Sequence, residues 1–202
     1  MSEWRLRVYD PTQSYRDQKK FDCDNVMINR YAQKNLKKRV KNHSVQGYVL
    51  SNDVSDFVGF YTLETFTITK EIFQLSPPPT ATPPLVPAIK LGMLGVDKHY
   101  QKMGLGRKLL KNAIKKTAQV SKMAGCKGLF LWAEEEAVTF YSRLGFLPIQ
   151  DITPTPMFLD IETILDAIVP RETQRVVDNF ENGKRDFETP ISFEEFKKEI
   201  EG

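Results

Sequence analysis

The run Leu94-Gly95-Val96-Asp97-Lys98-His99-Tyr100-Gln101-Lys102-Met103-Gly104-Leu105-Gly106-Arg107-Lys108 passes from a strand-like stretch, through a glycine-containing turn, into a long amphipathic pattern that reaches about Met123. A strand, a tight turn and a helix in that order place the helix N-terminus at the end of the strand. Gly104 and Gly106 carry no Cβ, so backbone N–H groups at the helix start can converge on an anion in the positive field of the helix dipole. A pyrophosphate fits that description. A plain glycine-rich turn fits the same letters, and the rest of the chain has to decide between them.

Downstream, Leu129-Phe130-Leu131-Trp132 reads as a buried strand and Glu134 to Leu144 as a short helix ending at Gly145. The Gln-x-x-Gly-x-Gly turn resembles the acetyl-CoA pyrophosphate loop of the GNAT acetyltransferases. Ala137-Val138-Thr139-Phe140-Tyr141-Ser142-Arg143-Leu144-Gly145-Phe146 is similar to that family's A-x-x-F-Y-x-x-x-G-F signature. Two motifs in the right order, separated by a helix and a strand, are far more specific than either alone. Further upstream, Phe21-Asp22-Cys23-Asp24-Asn25 with the basic helix after it, Tyr48-Val49-Leu50, Val58 to Leu63 and Val86 to Asp97 resemble the acetyltransferase toxins of bacterial toxin–antitoxin pairs. The resemblance runs from about residue 3 to about residue 168.

That resemblance implies an α/β GNAT fold, a mixed central sheet flanked by helices with a splayed strand pair that binds acetyl-CoA. It implies cofactor contacts at Leu94, Gly95, Val96, Gln101, Lys102, Met103, Gly104, Leu105, Gly106 and Arg107, and a tyrosine, Tyr141, near the cofactor sulfur. It implies an enzyme that acetylates the α-amine of aminoacyl-tRNA and so blocks translation, with a small antitoxin protein as partner, and it is compatible with a homodimer. Two other readings stay open on the sequence. One is an N-acetyltransferase for a small amine or a protein N-terminus; the other is an acyl-CoA-binding regulatory module without chemistry.

Acetyl transfer needs an uncharged amine, a hydrogen-bond donor for the charge that develops on the carbonyl oxygen, and a proton donor for the departing sulfur. The α-amine of an aminoacyl ester is less basic than a lysine amine, so little base catalysis is required. A backbone N–H within Leu94–Val96 is assigned as oxyanion donor, and the phenol of Tyr141, with a reference pKa of ~10, as general acid. His43 and His99 are the only histidines, so neither a Ser-His-Asp set nor a metal cluster competes, and no metal is expected.

Charge is uneven along the chain in a way the net +3 conceals. Between Lys98 and Ala133 there is no acidic residue, whereas Lys108, Lys111 and Lys115 recur on one helix face; Lys34, Lys37 and Lys38 lie in the earlier basic helix. Charged faces often do no more than keep a protein solvated. Beside an active site they suit a polyanion, because each phosphate contact releases counterions, and the tRNA acceptor stem is such a partner. No apolar run approaches the ~20 residues of a membrane span. The start MSEWRLRVYD has no signal-peptide core, and two cysteines are too few for a disulfide framework, so the expected compartment is the cytoplasm.

The element pattern predicts a strand over Trp4–Tyr9, a helix from Asn25 to about Lys41 capped by Asp24, strands over Gly47–Leu50 and Asp56–Phe66, and a surface loop at Ser76–Pro84. It continues with strands over Pro87–Val96 and Pro156–Ile161. Residues 1–168 are read as the GNAT domain. Residues 169–202 are read as a helical C-terminal extension, with patterns around Glu172–Phe180 and Ser192–Ile200 and an excess of acidic residues, open to a partner or regulatory role.

Overall fold

The computed structural model describes residues 3–167; the extension 169–202 and the boundary expected before it lie outside the described residues. Seven strands form one sheet in the order β1-β2-β3-β4-β5-β7-β6. They are β1 (Arg5–Val8), β2 (Gln46–Ser51), β3 (Gly59–Thr69), β4 (Leu85–Val96), β5 (Gly128–Ala133), β6 (Leu147–Pro148) and β7 (Thr155–Asp160). All neighbours are antiparallel except β4 and β5, which run parallel. A parallel pair needs a crossover, and α3 (Leu105–Ala124) supplies it.

The helices divide between the two faces of the sheet. On α3, Leu105, Leu109, Ala113 and Thr117 recur every fourth residue, and they are buried together with Leu110 and Ala118. Each buried leucine contributes about 1.5–3 kcal/mol relative to exposure. The opposite face carries α1 (Val26–Arg30) and α2 (Leu36–Lys41), joined without a break by a π-helical turn over Tyr31–Asn35. Ala32, Leu36 and Val40 bury that helical stripe against Tyr9, Val49, Phe57 and Phe60, and Ile28 packs half-buried on the same cluster. Phe21 meets both Phe57 and Phe60 edge-on. Successive β3 residues confirm the two faces: Phe60 belongs to the α1–α2 cluster, while the next residue, Tyr61, donates its hydroxyl to Asn112 of α3.

Several boundaries differ from the sequence pattern. The cap of α1 is Asn25, whose Oδ1 accepts the Ile28 N–H at 3.0 Å, and not Asp24. Asp24 instead takes a left-handed conformation, φ 64°, with its N–H donated to Asp22 Oδ1. β3 starts at Gly59 rather than Asp56, because the turn at Asn52–Ser55 is followed by a short link whose backbone pairing is confined to Val58, with its N–H donated to Leu50 O and its carbonyl accepting from the Asp97 N–H. It runs on to Thr69 because β4 begins at Leu85 and keeps the hairpin paired. The two-residue β6 was not legible at all.

Candidate active site

β4 and β5 pair only at Ile89↔Leu129 and Lys90↔Phe130. Beyond that point Leu91 to Val96 have no β5 partner, and the two strands splay. The gap is a cleft of about 810 Å³, walled by Leu91 to Leu94 of β4, by Leu131 and Trp132 of β5, and by Ala137, Phe140 and Tyr141 of α4 (Glu135–Ser142). Asn25, Met27 and Ile28 from the start of α1 and Gln101 and Lys102 from the turn complete it. That volume lies in the usual range for cofactor and small-ligand sites.

The register of β4 decides which backbone groups face the gap. The Asp97 N–H donates to Val58 O at 2.8 Å, so Asp97 points toward the β3 side. In an extended chain alternate residues present their N–H and C=O to opposite sides. Gly95 therefore faces β3 as well, and Leu94 and Val96 face the splay. The Val96 carbonyl is taken by Gln101 Nε2 at 3.2 Å. Leu94, which lines the cleft, leaves its N–H directed into it.

Not all of the residues expected to hold the cofactor sit alike. Leu94 lines the cleft, but Val96 is 8% exposed, and Gly95 serves packing. A Cβ at Gly95 would stand 2.9 Å from Ile28 Cγ2 and 3.1 Å from Phe21 Cζ, so glycine there lets α1 close onto β4. Gln101 spends its amide on two carbonyls, those of Val96 and Cys23, and so buckles the Phe21–Asn25 loop to the turn. Asp22 reinforces the buckle. Its carboxylate accepts from Lys98 Nζ and Asn29 Nδ2, both at 2.7 Å, and these contacts, with the Asp24 N–H, lower its pKa to about 2.

The turn itself has the form of an anion cradle. Lys102 and Gly104 are both left-handed, with φ 60° and 76°. The first helical bond of α3 is Lys108 N–H to Gly104 O. The N–H groups of Leu105, Gly106 and Arg107 thus lack a partner within the helix and point out of its end. A Cβ added at Gly104 or Gly106 would meet nothing within 4 Å, so both glycines face open space. Lys102, Met103 and Arg107 are exposed around them. These features suit a pyrophosphate.

Tyr141 lies across the cleft, packed on Phe140 at 5.1 Å and Phe146 at 5.6 Å between ring centroids. Burial pushes its phenol up to about 12. Trp132, read from the sequence as part of a buried strand, is 42% exposed because the splay has removed the neighbour that would have covered it. Lys90, which sequence reasoning did not single out, reaches the cleft wall while paired with Glu64 at 3.0 Å. Only the splay makes either residue a wall of the site, and no local pattern encodes the splay.

The expected basic surfaces fall on opposite faces of the sheet. Lys34, Lys37 and Lys38 are exposed on the side of α1 and α2; Lys108, Lys111 and Lys115 are exposed on α3. They cannot form one flat patch. Lys34, Lys37 and Lys38 belong to the helix whose first turn lines the cleft, and at ~1.5 Å rise per residue they stand roughly 9–15 Å beyond Ile28. Among the described residues no group of His, Cys, Asp and Glu is arranged to hold a metal ion, and no helix is long and apolar enough to cross a membrane.

Comparisons with known proteins agree with this geometry. Residues 44–148 match the acetyltransferase (GNAT) domain model. The chain is 32% identical over 130 residues to a tRNA-acetylating toxin of Mycobacterium tuberculosis (strain ATCC 25618 / H37Rv), covering 59% of this chain and 72% of that protein. It superposes on the crystal structure of a bacterial toxin with a TM-score of 0.79 at 29% identity, covering 83% of this chain and 96% of the other. A structure of AtaTR bound with AcCoA matches with a TM-score of 0.67 at 25% identity, covering 80% and 95%. The splayed β4–β5 pair, the glycine turn at the head of α3 and the matching domain model together make the chain a member of the GNAT acetyltransferase family.

Proposed function

We propose that this protein is an acetyl-CoA-dependent toxin that acetylates the free α-amine of aminoacyl-tRNA, acting in the cytoplasm and held in check by a small antitoxin protein. The observation that carries the reading is the joining of the GNAT cleft, through one continuous helix, to an exposed cationic face at Lys34, Lys37 and Lys38. The 32% identity to a tRNA-acetylating toxin supports the same acceptor.

Acetyl-CoA supplies the activated acetyl group as a thioester. The N–H groups of Leu105, Gly106 and Arg107, with the charges of Lys102 and Arg107, would hold its pyrophosphate. The Leu94 N–H is the donor for the carbonyl oxygen as negative charge builds there. The Tyr141 phenol, protonated at neutral pH, donates to the sulfur. No group of this chain has to remove a proton from the acceptor before attack, because an α-amine with a reference pKa of ~7.7–8.0 is partly neutral in the cell. Lys34, Lys37 and Lys38 would follow the phosphates of the acceptor stem; Lys108, Lys111 and Lys115 could join only by wrapping the nucleic acid round the domain.

Salt tests the acceptor. With aminoacyl-tRNA, kcat/KM should fall steeply as ionic strength rises, because phosphate contacts compete with counterions. Reversing Lys34, Lys37 and Lys38 to Glu should reproduce the loss at low salt with acetyl-CoA binding intact. A flat salt profile in wild type, with transfer to a small amine equal to that to tRNA, would replace this reading with the small-amine one.

A further inference from the structure

The hairpin of β3 and β4 carries an irregularity on the floor of the cleft. Thr62 pairs with Met93 and Leu63 with Leu91, which leaves Gly92 as an extra residue on β4. A bulge of this kind disrupts the ladder and re-aims the strand beyond it. Something must then hold the peptide planes that follow. The Met93 N–H donates to Thr62 Oγ1 at 3.0 Å. Thr62 is 1% exposed, and Gly92 makes room for its hydroxyl, since a Cβ there would stand 3.0 Å from Oγ1.

The Thr62 hydroxyl has a neighbour on the helix side as well. The Tyr31 phenol, placed by the π-helical turn, lies beside Thr62 together with Arg39 and Glu64. Glu64 is fixed in turn by Arg39 at 3.1 Å and Lys90 at 3.0 Å. Met93 immediately precedes Leu94, and the peptide unit between them carries the N–H that faces the cleft. Anchoring the Met93 nitrogen therefore limits how far that N–H can swing.

We propose that Thr62 is a positioning residue for acetyl transfer: its hydroxyl pins the β4 bulge and so aims the Leu94 N–H at the point where the carbonyl oxygen gains charge. The inference rests on the proposed role of the Leu94 N–H. Thr62 itself touches no substrate. Loss of one oxyanion donor costs about 10²–10³ in kcat. A donor that is present but misaimed loses part of that, since hydrogen bonds weaken steeply with angle.

The test uses the full chain with Thr62→Val, Thr62→Ala and Thr62→Ser, measuring acetyl transfer to charged tRNA and acetyl-CoA binding by calorimetry. Val keeps the shape and drops the hydroxyl; Ala drops it without risk of overpacking; Ser keeps it. The expected result is a kcat roughly 10- to 100-fold lower in both Val and Ala, as a partial loss of one donor. Acetyl-CoA affinity should stay within about twofold, and Ser should retain most of the turnover. Wild-type kcat in Val or Ala overturns the proposal, as does an affinity loss that matches the loss of turnover, or a Ser variant as impaired as Val. If wild type places no label on tRNA, the proposed acceptor fails instead, and the same three variants are compared on a primary amine, where the kcat split still decides the role of Thr62.

Discussion

Replacing Tyr141 by Phe removes one hydroxyl and leaves the ring packed on Phe140 and Phe146. The structure bounds what that hydroxyl can do. With the phenol at about 12 and a thiol at a reference of ~8.5, complete proton transfer to a departing thiolate is uphill by roughly 3.5 units, or ~5 kcal/mol at 1.36 kcal/mol per unit. In the proposed mechanism the phenol would therefore act as a hydrogen-bond donor to sulfur as charge builds there. A hydrogen bond to a charged group is worth about 1.5–3 kcal/mol, which converts to a loss in kcat of roughly 10- to 150-fold. The assay is single-turnover transfer with both substrates saturating, so that chemistry is read without product release. Acetyl-CoA affinity should not change, because the hydroxyl acts only once charge appears. A loss under about threefold would make Tyr141 a packing residue, and a loss beyond ~10⁴ would show that full acid catalysis operates despite the raised pKa.

Other consequences are as specific. Gly104→Val should abolish the rise in Tm that acetyl-CoA gives the wild type, because a side chain would enter the open space before the cradle and φ 76° disfavours any branched residue; differential scanning calorimetry with and without ligand checks it. Gly95→Ala should cost about 1–3 kcal/mol by overpacking against Ile28 and Phe21, read as a lower midpoint in urea. The plot of kcat/KM against pH should rise as the acceptor amine loses its proton and then stay level to about pH 10, since Tyr141 holds its proton until about 12; a fall near pH 9 would mean another group supplies the proton. Asp22 has a folded pKa of about 2, below the ~3.9 of an unfolded Asp, so its contribution to stability is complete above pH ~4 and is lost as pH falls through about 2. Asp22→Asn should flatten the acid limb of the stability curve over that window.

Much of the candidate site could be read from the chain because the residues that form it lie close together in sequence. Gly104 and Gly106 are required by one turn at one helix end, and Phe140 and Tyr141 lie within one short helix, so short-range spacing carries them. Helix α1–α2 was legible for the same reason: Ala32, Leu36 and Val40 mark one buried stripe. What was not legible depends on the sheet. Trp132 is a cleft wall only because β5 leaves β4 after Phe130, and Gly95 is a packing glycine only because α1 crosses β4 at Ile28. The two lysine clusters look alike along the chain, yet the alternation of Phe60 and Tyr61 puts their helices on opposite faces. Gln101 matches the motif but spends its side chain on Val96 and Cys23 carbonyls, a use that requires the Phe21–Asn25 loop to be present.

In the proposed reaction the acetyl group is delivered to the α-amine of an amino acid esterified to tRNA. The most direct measurement is to incubate the enzyme with isotope-labelled acetyl-CoA and a charged total-tRNA pool, digest the RNA, and identify labelled nucleosides by mass spectrometry. The expected product is N-acetyl-aminoacyl-adenosine, absent when the tRNA is deacylated beforehand and reduced in Tyr141→Phe. Label found only on small amines or on protein N-termini, with none on aminoacyl-adenosine, would contradict it.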